Sequence, residues 1–172
     1  MLKKLFIFLT LMMIMQVCSA TSVVRVSDYG SDGFYYRYNQ IAETIGSSNL
    51  MISAMPVKDA SNEMFDTYIC GFGPAGHQTT ISLFANKEGF ISKLMVMRTA
   101  SDSIAMNNMS EAIVIILSVL GVNKSEMEYF VDELKQNSVS STHWCNSANR
   151  YIMIDSRSEN NVVAVRFTAA VD

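Results

Sequence analysis

Residues 89–120 read GFISKLMVMRTASDSIAMNNMSEAIVIILSVL, and the spacing of apolar side chains changes period inside this one stretch. From Phe90 to Arg98 the groups alternate, with Leu94 and Val96 on one side and Met95 and Met97 on the other. That is the two-residue period of a β-strand. Both faces carry bulky apolar groups, so the pattern predicts a strand covered on both sides. From Ser101 the period lengthens. Ile104, Ala112, Ile113, Ile116, Leu117 and Leu120 share one side of a helix that stops at Gly121. Ile113 to Leu120 is apolar nearly all round, yet far shorter than the roughly 20 residues a bilayer-spanning helix needs. It is expected as the central buried helix.

Upstream, Phe65–Phe72 and Gln78–Asn86 are β-prone runs bounded by Gly and Pro, and Asn86-Lys87-Glu88-Gly89 fits a four-residue turn. This part reads as antiparallel hairpins. Earlier still, Phe34, Tyr35, Tyr38, Ile41, Ala42 and Ile45 fall at helical spacing, with Ser31 or Asp32 as the expected N-cap and Gly46 as the stop. Thr21–Val26 and Leu50–Met55 are short strand candidates, the second ended by Pro56, and Val57–Asn62 reads as an exposed connection. Downstream, Asn123-x-x-Glu126 has capping-box form and opens a helix through Gln136, with Met127, Phe130, Val131 and Leu134 inward. Three strands follow: Val139–Cys145, Arg150–Asp155 and Val162–Val171. Strand runs separated by helices argue for an α+β fold. The expected architecture is a mostly antiparallel sheet of about five to seven strands, with an N-terminal helix and a central two-helix segment packed on it. The order also has a loose two-fold character, helix then hairpins, without residue-level self-similarity.

The first twenty residues carry an address. Lys3 and Lys4 are followed by an apolar run from Leu5 to Val17 and by Cys18-Ser19-Ala20. A positive start, an apolar segment of about thirteen residues and a small-residue close are the three parts of a secretory leader. Residues 1–20 are therefore expected to be a cleaved signal peptide, and residues 21–172 a single globular α+β domain, secreted or periplasmic. The short Lys-rich leader is bacterial in form. Removing Lys3 and Lys4 leaves 11 basic against 16 acidic residues, a formal charge of −5. The basic residues are scattered, which argues against nucleic acid as a partner, and residues 21–172 contain no apolar run long enough to cross a bilayer.

Beyond Cys18 two cysteines remain, Cys70 and Cys145. A lone pair in an exported chain is most simply a disulfide, which would close a long loop and stabilise the fold by about 4 kcal/mol. Cys70, His77, His143 and Cys145 are also the one possible Cys/His metal set, although their spacing matches no compact zinc motif. Gly71-Phe-Gly73-Pro-Ala-Gly76 has the letters of the dinucleotide fingerprint. A strand-like segment follows it where that chemistry needs a helix N-terminus, so a hairpin connection is expected and no cofactor. Nine methionines lie beyond residue 20, among them Met95, Met97, Met106 and Met109. Thioethers can hold Cu(I), but Met is more often an adaptable core filler.

Two His residues and no G-x-S-x-G elbow leave no evident catalytic set. The function expected from these residues is a non-catalytic binding or accessory module, acting on a protein partner or holding a small apolar ligand between sheet and helices. Trp144, His143, His77, Tyr35 and Tyr38 are the candidate binding surface. A small secreted hydrolase and a periplasmic metal-binding protein are the alternatives.

Overall fold

The alternating stretch after Phe90 forms the strand at the middle of a sheet. The computed structural model describes residues 25–60, 66–73, 79–99, 103–134, 139–159 and 162–169. In chain order these form helix α1 (Ser31–Thr44), a 3-10 turn (Ser48–Leu50), strands β1 (Val57–Asp59), β2 (Asp66–Phe72), β3 (Thr79–Ala85) and β4 (Ile91–Thr99), helices α2 (Ser103–Val119) and α3 (Lys124–Leu134), and strands β5 (Val139–Cys145), β6 (Arg150–Glu159) and β7 (Val162–Ala169). The strands make one seven-stranded sheet in the order β1-β2-β3-β4-β7-β6-β5, with every neighbouring pair antiparallel. This is the α+β arrangement expected, with the N-terminal helix and the two-helix segment in place. Residues 1–20 lie outside the described residues, as do residues 21–24 of the first strand candidate.

Residues paired across antiparallel strands share a face, so the register separates the two sides of the sheet. Tyr68, Leu83, Leu94, Phe167 and Ile154 form one row across five strands, and Cys70, Ile81, Val96, Val165 and Ser156 the next. Leu83, Leu94, Phe167 and Ile154 have no exposed surface. All three helices lie over this side. Tyr38 of α1 stacks on Phe72 with ring centroids 6.3 Å apart, and Tyr129 of α3 stacks on His143 at 4.3 Å. Met109 and Ile113 of α2 line a cavity with Val163 and Val165. In α2 the side chains of Ala112, Ile115, Ile116 and Leu117 are fully buried, as its nearly all-round apolar sequence requires. Each of these Ile and Leu side chains removed from water contributes about 1.5–3 kcal/mol.

Local chemistry explains the element boundaries, including those the sequence misplaces. Both α1 and α2 end in a glycine of positive φ (Gly46, 79°; Gly121, 85°) that lets the following N–H groups reach back to the last turn: Ser47 to Ala42 and Val122 to Leu117. The N-cap of α1 is Gly30, without a side-chain cap, while the Ser31 hydroxyl donates to Asp32 Oδ1 instead. Leu50–Met55 is not a strand. The Asn39 side chain takes the place of a neighbouring strand there, accepting from Ile52 N–H (2.8 Å) and donating to Ile52 C=O (3.0 Å). Strand β1 lies instead in the segment expected as a connection, where Val57, Lys58 and Asp59 pair with Ile69, Tyr68 and Thr67. Asn123 Oδ1 accepts from Glu126 N–H as a capping box requires, and the Glu126 carboxylate also ties down the loop before β6 by accepting from Asn146 N–H and from the Ser147 hydroxyl. Strand β4 is covered on one side alone among the described residues, because Met95 and Met97 face away from the helices.

Gly71 sits in β2 where a Cβ would lie 2.6 Å from the Thr79 carbonyl oxygen. That atom belongs to backbone fixed in the neighbouring strand and cannot swing aside. Gly71→Ala is expected to cost about 1–3 kcal/mol, read as a lower urea midpoint with an unchanged slope.

Candidate functional site

The residues expected to form one binding surface are divided by the sheet. Neighbours along a strand point to opposite faces. His143 therefore lies under α3, stacked on Tyr129 and edge-on to Phe130 at 5.6 Å, while Trp144 emerges on the other face, 37% exposed. Tyr38 is fully buried against Phe34 and Phe72, and its hydroxyl has no hydrogen-bond partner among the described residues. Burial pushes that hydroxyl's pKa up, and the nearby Cys70 adds to the effect. Tyr35 is half-buried against the core and edge-on to Tyr36. His77 lies outside the described residues. Of the other four, Trp144 alone stands exposed, with its indole N–H donating to Asn146 Oδ1 (3.0 Å) and its ring against Tyr151 (4.8 Å).

The expected Cys70–Cys145 bridge is not formed. Cys70 is on the second strand and Cys145 on the seventh, five strand spacings apart in the sheet order, or about 24 Å at ~4.8 Å each. A disulfide needs the two Cα atoms within about 7 Å. Both are buried free thiols. Burial pushes each up to about 12, with Glu126 raising Cys145 further and Arg150 opposing it. A thiol with so high a pKa is neutral at pH 7 and is a poor nucleophile and metal ligand. The Cys/His set is not assembled either, since its two cysteines stand at opposite parts of the sheet. Among the described residues no three His, Cys, Asp or Glu side chains converge as a metal site would need. At the glycine-rich segment, Gly71 is inside β2 and strand β3 begins at Thr79, so a hairpin joins strands where a nucleotide site would open a helix.

The sheet's second face is the feature the sequence left unread. Its rows are Thr67, Phe84, Lys93, Thr168 and Met153; then Ile69, Ser82, Met95, Arg166 and Asp155; then Thr80, Met97, Ala164 and Arg157. No described element covers them. Met95, Met97, Met153 and Phe84 are half-buried. Lys93 lies over the Phe84 ring with its nitrogen 4.3 Å from the centroid. Its pKa is lowered, by burial first and then by the adjacent Arg166. Arg166 and Arg157 both approach Asp155, which is 8% exposed. The centre of this face thus combines polarizable apolar side chains with three cations against one carboxylate, on a chain whose net charge is negative. Lys93, Met95 and Met97 were legible as alternating residues, but nothing in the sequence says which face the helices leave bare.

Behind the sheet a second opening lies between α2, the end of α3 and strands β6 and β7. It is a cavity of about 320 Å³ lined by Met106, Met109, Ile113, Leu134, Val163 and Val165, with Ser110, Ser156 and Ser158 at its polar margin. The chain matches no protein-family model, and no curated protein or solved structure is significantly similar to it.

The purified chain lacking residues 1–20 is expected to titrate two thiols per chain when denatured, and almost none when native at pH 8. No thiol in denaturant would mean a bridge.

Proposed function

We propose that this chain is an exported, non-catalytic binding module, secreted or periplasmic, that holds a protein partner against the open face of its sheet. The reading rests above all on that face: seven strands with helices on one side and a methionine-rich, cation-flanked surface on the other. Methionine adapts its shape to a partner at little conformational cost and is over-used at adaptable binding surfaces. Lys93, Arg157 and Arg166 favour a partner that presents carboxylates around an apolar centre. Size is adequate as well. Six spacings of ~4.8 Å by a seven-residue strand give roughly 700 Å², close to the ~800 Å² each partner contributes to a standard interface. Among the described residues both cysteines are buried, neutral thiols and His143 is stacked under α3, which supports binding over hydrolysis.

The cavity of about 320 Å³ favours one second reading, a small apolar ligand held between sheet and helices. The two are separable in the native host. A photo-crosslinking residue at Met95 or Met97 is expected to give one discrete protein adduct, which Arg166→Glu abolishes, while the same residue at Tyr36, 65% exposed on α1, gives none. Equal adducts from all positions, or none from Met95 and Met97 beside a co-purifying apolar small molecule, would overturn the open-face reading.

A further inference from the structure

The sheet's two edges are built differently. A sheet edge exposes a row of unpaired backbone N–H and C=O groups, and proteins that stay monomeric blunt such edges with short strands, charge, proline or bulges. Edge strand β1 has three of these devices. It is three residues long, it follows Pro56, and its Lys58 is ion-paired with Asp66 of β2 (2.6 Å). Edge strand β5 has none. Its seven residues, Val139-Ser-Ser-Thr-His-Trp-Cys145, carry no formal charge at neutral pH with His neutral, and no proline. All seven pair with β6 without a register shift, so the strand is not bent away from the sheet line. In an antiparallel ladder each residue uses its backbone pair toward one neighbour alone. Half of the β5 groups therefore point outward, unpaired among the described residues.

We propose that this edge is an interface between two copies of the chain, whose β5 strands pair antiparallel about a two-fold axis at Thr142 to give one continuous fourteen-stranded sheet. A second copy fits better than a foreign peptide because the segment is self-complementary. The two-fold places Thr142 against Thr142, Ser141 against His143, Ser140 against Trp144 and Val139 against Cys145. No pair sets like formal charges opposite each other. The central threonines are a favourable cross-strand pair, and each large indole meets a small serine. Ser140, Thr142 and Trp144 are exposed, so the join itself is open to a partner. The axis runs perpendicular to the sheet, so it keeps both sets of helices on one side. The two open faces then merge into a single surface.

Sedimentation equilibrium of the purified chain tests the pairing. The wild-type chain is expected to be a dimer at micromolar concentration. Thr142→Lys, which sets two ammonium groups opposite each other at the axis, should weaken it at least tenfold while the far-ultraviolet circular dichroism is unchanged. Val57→Lys on the other edge should leave it alone. Thr142→Cys gives a second readout, a disulfide-linked dimer on mild oxidation, which Val57→Cys does not give. A wild-type chain that stays monomeric at 100 µM, or a dimer indifferent to Thr142→Lys, would overturn the proposal. A monomer that binds an extended peptide of another protein along β5 would replace the second copy with a foreign strand.

Discussion

The pairing of β4 with β7 is the constraint on which the architecture depends. It joins a first half of one helix and four strands to a second half of two helices and three strands, through seven registered residue pairs from Lys93–Thr168 to Thr99–Val162. Each half ends on the strand it gives to this junction, so the sheet order runs inward from both edges. Without the junction, Leu94, Val96, Val165 and Phe167 would each lose the neighbour beside them, and two small sheets would have to bury their own faces. The pairing is also the most distant in sequence among the strand pairs, linking residues 63 to 75 positions apart, and so closes the longest loop in the sheet.

The same junction sets the sidedness of the molecule. Once Leu94 pairs with Phe167 under the helices, Met95 must pair with Arg166 on the opposite face, because side chains alternate. Three helices cover one layer of seven strands, and no described element is left for the other. That second face carries Lys93, Arg157, Arg166 and Asp155 beside the half-buried Met95, Met97 and Met153.

Much of the fold is legible in local pattern. The alternation around Leu94 and Val96, the helical spacing of Ile113, Ile116 and Leu117, and the glycines after two helices each reflect a short-range rule, and each corresponds to an element of the structure. The failures share a different cause. Ile52 is held by a side chain thirteen residues away, Asn39, and no strand propensity reports that contact. Val57–Asp59 looks like a connection because an exposed edge strand needs neither apolar face nor periodicity. Cys70 and Cys145 look like a natural pair until the strand order separates them, and strand order is a property of the whole chain. Met95 and Met97 mislead for the same reason: an apolar side chain half-buried on a bare sheet and one buried in a core have the same letters.

Whether one face of the sheet is bare in the free protein can be tested by oxidative footprinting of the purified chain, with the extent of sulfoxide formation at each methionine read by mass spectrometry. Met109, on the sheet-facing side of α2, is an internal standard for a buried thioether. Met95, Met97 and Met153 should oxidise many times faster than Met109. Protection of all four to the same degree would mean that the second face is covered, and would contradict a two-layer fold with one open side.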